Sequence, residues 1–145
     1  MTPKTEVEKL MNDLLAFAEK MLGEYGEFHP FGGYLNIAGE IVHVGVQPPS
    51  TEQATAQGRV SQLTNSFEVL AYEGKASAFA IATNVTLPLD NGRADAIKFF
   101  LEHRSGYCAE VFFRYILTDN AVQITDITAQ QGEQIFFPVT NSFLQ

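Results

Sequence analysis

By residue type, His29, His43, His103 and Cys108 are the side chains best suited to bond-making or metal chemistry, with Glu102, Glu110 and Asp126 as candidate acid–base partners. A Cys–His nucleophile pair needs hydrogen-bond contact between the two side chains. Glu102-His103 and Cys108 fall in one stretch, residues 94–117, ADAIKFFLEHRSGYCAEVFFRYIL. Whether thiol and imidazole meet therefore depends on how that stretch folds. Other chemistry lacks its pattern. HExxH, HxH and CxxC are absent, so nothing in the spacing supports a metal site. No Walker loop is present, and neither Gly32-Gly33 nor Gly23-x-x-Gly26 makes a phosphate cradle. GxSxG is missing. The carboxylates have no evident neighbour in sequence that would shift their pKa for acid–base work. The expectation is no catalytic residues, no cofactor, no metal and no enzyme activity.

The stretch 94–117 alternates as a β-hairpin. Ile97, Phe99 and Leu101 share one face of its first arm; Ala109, Val111, Phe113 and Tyr115 share one face of its second. A two-residue turn at Ser105-Gly106 sets Leu101 opposite Glu110 and mixes the faces. A three-residue loop, Arg104-Ser105-Gly106, pairs Leu101 with Ala109, Phe99 with Val111 and Ile97 with Phe113. It also puts Gly106 where a left-handed residue is needed. The second register keeps the apolar face intact. It sets Glu102 opposite Cys108 and turns His103 to the other face, opposite Tyr107, which separates thiol from imidazole. The even face carries Lys98, Glu102, Glu110 and Arg114 around Phe100, Phe112 and Cys108. It is either covered at the two phenylalanines or open to a partner.

The remaining elements must build on this ribbon. Thr5 and Glu8 match a capping box for a first helix, with Val7, Leu10, Met11, Leu14, Phe17, Ala18, Met21 and Leu22 as its apolar stripe and Gly23 as its stop. Glu24–Gly33 holds too much glycine and proline for regular structure. Its Tyr25, Phe28 and Phe31 either pin the loop to the core or, with His29, form an exposed aromatic anchor of the kind that dominates interfaces. A short hairpin follows, Tyr34–Ala38 with Glu40–Val46, ended by Gln47-Pro48-Pro49. Ser50 and Gln53 cap a second helix whose stripe is Val60, Leu63, Phe67, Leu70 and Ala71. Gly74 ends it. Lys75–Leu87 is a central strand with Phe79, Ile81, Val85 and Leu87 on one face and Ala76, Ala78, Ala80 and Ala82 on the other, where a helix can lie close. Beyond the ribbon, Asp119-Asn120 turns into Ala121–Ala129, pairing Leu117 with Val122 and Tyr115 with Ile124. Gln134–Phe137 is a further short strand, and the tail after Pro138 an edge or frayed end. The expected class is α+β, in the order α-β-β-α-β-β-β-β: an antiparallel sheet of five to seven strands with two helices on one face, as a single domain over 1–145.

The chain of 145 residues has the length of one domain and a net charge of −8. Its few, scattered cations argue against nucleic acid, which needs clustered Lys and Arg. The acidic surface suits solubility or a basic protein partner. One cysteine forbids an intramolecular disulfide, and no stretch has the apolar length of a membrane helix or a secretory signal. A cytoplasmic protein that avoids membranes and binds another protein is the expectation, with a homodimer among its associations. The partner-facing candidates are Phe28, His29 and Phe31 in the loop and Phe100 and Phe112 on the ribbon.

Glu27-Phe28-His29-Pro30-Phe31-Gly32-Gly33, after a helix ending in Leu22-Gly23-Glu24-Tyr25-Gly26, resembles a pattern in small uncharacterised bacterial proteins. Those carry EF-aromatic-PFG between an N-terminal helix and a first hairpin, and some are similar to immunity proteins of bacterial polymorphic toxin systems. Here His29 stands in the aromatic position. Gly39-Glu40-Ile41 and Glu102-His103-x-x-Gly106-Tyr107 fit the same pattern, which covers the first third of the chain and one hairpin. The resemblance implies a non-catalytic, partner-binding role. The alternative is a small-molecule-binding protein or enzyme with a pocket between sheet and helices. The element order is also similar to profilin-like and roadblock-type arrangements, a likeness of topology that does not fix function.

Overall fold

The computed structural model describes residues 2–45, 55–119 and 121–137. Helix α1 spans Pro3–Tyr25, strand β1 Phe31–Asn36, β2 Ile41–Val44, helix α2 Ala56–Tyr72, β3 Ala76–Leu89, β4 Gly92–His103, β5 Cys108–Thr118 and β6 Ala121–Gln131. The class is α+β and the element order is the expected one. Among the described residues, six strands form one antiparallel sheet in the order β2-β1-β3-β4-β5-β6. The segment 134–137, expected as a further strand, is not one.

The ribbon β4–β5 adopts the register that keeps its apolar face whole: Leu101 pairs with Ala109, Phe99 with Val111, Ile97 with Phe113 and Glu102 with Cys108. Gly106 has φ 104°, the left-handed value its loop demands. The β5–β6 turn also falls as expected, with Leu117 opposite Val122 and Tyr115 opposite Ile124. One irregularity was not foreseen. Arg114 faces Asp126, so Thr125 is an extra residue and β6 bulges there.

The placement of the helices corrects the sequence expectation: they lie on opposite faces of the sheet. Val7, Leu10, Leu14, Ala18 and Leu22 of α1 are fully or almost fully buried against Ala78, Ala80 and Ala82 of β3 and Ile97, Phe99 and Leu101 of β4. Leu63 and Phe67 of α2 pack with Phe79 and Ile81, which point the other way from the same strand. The cause is in β3 itself. Both of its faces are apolar, so both need cover. The adjacent glycines of β1 show how close that cover comes. A Cβ on Gly33 would lie 3.1 Å from Leu14 of α1, while one on Gly32 would lie 3.1 Å from the Phe67 ring of α2 and 2.6 Å from the Ala80 carbonyl oxygen.

Helix ends also move. α1 starts one turn earlier than Thr5: the Thr2 hydroxyl accepts from the Thr5 amide at 3.1 Å, and Pro3 occupies the first turn, where its missing N–H costs nothing. It runs past Gly23 to Gly26, which takes φ 76° and donates to the Leu22 carbonyl. A glycine inside a helix costs about 1 kcal/mol, which the extra turn and the burial of Leu22 offset. The expected irregular loop 24–33 therefore shrinks, Gly32 and Gly33 becoming strand. Thr55 caps α2 by accepting from the Gly58 amide at 2.9 Å. Ser50, Gln53, the Pro48-Pro49 turn and the tail after Pro138 lie outside the described residues.

Candidate binding surface

Six aromatic rings meet on the α2 face, Tyr34 among them at 6.1 Å from Phe67. Phe67 stacks on Phe79 at 4.7 Å, Phe136 reaches Phe79 at 4.8 Å, and Phe137 lies 5.5 Å from Phe79. Phe100 meets Phe136 edge-on at 6.0 Å. The chain after Gly132 thus crosses back over the sheet. It is fixed there by Glu102, a residue with no solvent exposure. One carboxylate oxygen accepts the amides of Ile135 and Phe136 at 2.8 and 3.0 Å; the other accepts those of Phe136 and Phe137 at 3.2 and 2.8 Å. Three successive N–H groups converge on one buried anion. Residues 135–137 spend their donors on Glu102, which is why they join no strand.

Cys108 lies opposite Glu102, and its surroundings quiet it. Burial first, then the Glu102 and Glu110 carboxylates, push the thiol from 9.0 up to about 12. Such a thiol is the reverse of an activated nucleophile. Labelling of the native chain by iodoacetamide at pH 8 should therefore run more than about tenfold slower than in urea; equal rates would show that the thiol is open. His103 is on the α1 face. Its Nδ1 accepts from the Ser105 amide at 3.0 Å, leaving Nε2 to donate to Glu6 at 2.7 Å. Thiol and imidazole are kept apart by the sheet, as the register required. His43, at the far edge, meets Asp13 at 2.5 Å. Tyr115 donates to Asn84 at 2.8 Å, and burial, then Asp95, raise its hydroxyl to about 12. The candidate chemical residues are thus dispersed. Among the described residues, no three His, Cys, Asp or Glu side chains are grouped to hold a metal ion.

The partner-facing candidates divide. Phe28 and Phe31 are core, 5 % and 0 % exposed, and their rings meet edge-on at 5.7 Å. They pin the loop instead of projecting from it, because α1 brings Phe17 to 4.9 Å from Phe31. His29 is half-buried. Phe100 is covered by Phe136. Phe112 stays half-buried, with the Lys98 ammonium 6.0 Å from its ring. Lys98 pairs with Glu110 at 3.3 Å, and Arg114 with Asp126 at 3.5 Å. The Gln130 amide, then Lys98, hold Glu110 below the usual carboxylate range. The even face of the ribbon is thus closed at its Glu102 end and bears paired charges around Phe112. Nearby, an open groove of about 530 Å³ runs along Tyr107, Cys108, Gln130 and Gln134. His43, Glu102 and Tyr115 do not line this groove.

Sequence reasoning missed the Glu102 clamp. The sole available signal was an acidic residue at an even ribbon position with a Phe-Phe pair downstream, and nothing in the spacing joins them. No helix is long and apolar enough to cross a membrane among the described residues. Comparison with protein-family models, with curated proteins and with solved structures finds no match.

Proposed function

We propose that this chain is a non-catalytic protein-binding protein of the bacterial cytoplasm, immunity-like in that it acts by covering a partner. The observation that supports this most is the state of Glu102: the carboxylate best shielded from water is saturated by backbone amides and beyond the reach of a substrate. The nearby thiol is suppressed, and the imidazole on the ribbon is held by Glu6. A fold that spends its reactive groups on its own cohesion has surface left to offer. That surface is acidic overall, and Lys75, Lys98 and Arg114 are each paired with a carboxylate. A basic protein is the partner such a surface attracts.

The test is binding with purified components. The full chain is used to isolate a basic protein from its native host, and the pair is then reconstituted. A one-to-one complex whose affinity falls steeply with salt is the expected result. Turnover of any substrate by the purified chain, lost in a folded Cys108→Ser variant, would remove the reading.

A further inference from the structure

The two edges of the sheet are unlike. β2 is four residues long, the short kind of edge that resists pairing with other chains. β6 is eleven residues long, AVQITDITAQQ, without a lysine or a proline. Among the described residues it has one neighbour, β5, so every second residue turns its N–H and C=O away from that partner. Ile127 is 57 % exposed beside this edge, on the face of Phe113 and Val111. Two copies each carrying −8 repel at long range. β6, however, has a single acid, Asp126, and Arg114 already neutralises it. The edge is thus a locally uncharged strip on an acidic molecule, and a like-charged copy can approach it.

We infer that β6 pairs antiparallel with β6 of a second copy, extending the sheet across a twofold axis centred on Thr128. The register follows from sequence. A twofold axis normal to the sheet must set one residue opposite itself. Asp126 opposite Asp126 brings like charges together. Centring on Ile127 runs the new ladder through the bulge at Thr125. Centring on Thr128 uses the regular segment 126–130. It places Ile127 opposite the partner's Ala129 and Asp126 opposite the partner's Gln130, and pairs the two threonines. Ile127 and Ala129 of both copies then form one apolar patch continuous with the α1 face.

Sedimentation of the full chain over a dilution series should show a reversible monomer–dimer equilibrium. Ile127→Lys should weaken it by about tenfold or more, through an unpaired cation set against the apolar patch. Tyr72→Lys, 93 % exposed on α2, should leave it unchanged. Independently of any effect on folding, Thr128→Cys should oxidise to a covalent dimer and Gln123→Cys should not. A monomer at every concentration overturns the inference and gives the edge to a foreign strand or to no partner. So does a dimer indifferent to Ile127→Lys. Capture of a basic protein by a strictly monomeric chain would support the binding role while sinking this interface, so the two readings fail separately.

Discussion

Glu102→Ala should destabilise the fold by about 4 kcal/mol, a value that few polar substitutions reach. Each hydrogen bond to a charged group contributes about 1.5–3 kcal/mol, and three amides lose their acceptor together. The full sum is not reached, because residues 135–137 can lift off and bind water instead. Urea unfolding reads the change as a shift in midpoint of roughly 2 M for a slope near 2 kcal/mol/M. Glu102→Gln separates charge from shape. Its NH2 must face backbone donors, so it should cost about half as much. In both variants proteolysis should begin in 133–137 before the rest of the chain opens. A loss under 1 kcal/mol for Glu102→Ala would mean that the clamp holds nothing.

Phe79→Ala should cost about 3–5 kcal/mol, the range for removing a buried ring. The residue has no exposure, and its ring touches those of Phe67, Phe136 and Phe137. It anchors two separate segments to the sheet: α2 by way of Phe67, and the C-terminal crossing by way of Phe136. The ring is too central for its neighbours to close the gap. The expected signature is a lowered urea midpoint with loss of helical circular dichroism from α2. Phe79→Leu, which keeps most of the volume, should retain more than half of the stability lost in the alanine variant. Equal effects of the two substitutions would show that ring packing does not hold this face.

What could be read from the sequence was whatever alternation controls. The ribbon register followed from the rule that a one-residue slip turns Leu101 and Phe99 into water. The alanine face of β3 announced a closely packed helix. Sidedness was harder, because it depends on which helix reaches which face, and Gly32 and Gly33 read equally well as loop residues. Phe28 and Phe31, legible either as pins or as exposed anchors, are core; large aromatics between glycines look alike in sequence whether they project or pin. Glu102 was beyond reach because its partners are backbone amides thirty-odd residues away, and amides leave no mark in side-chain patterns.

The path of the chain through the sheet has a consequence for synthesis. β1 sits between β2 and β3, so the chain leaves the outer edge at Val44, crosses one face as α2 and re-enters on the inner side of β1. The alanines that α1 covers belong to that returning strand. A ribosome finishing Tyr25 must add roughly sixty more residues before they emerge, several seconds at ordinary elongation rates. For that interval the greasy stripe of the first helix has only its own hairpin to lean on. A nascent chain stalled with residue 50 clear of the exit tunnel should therefore engage holding chaperones, whereas one stalled with residue 105 clear of it should not.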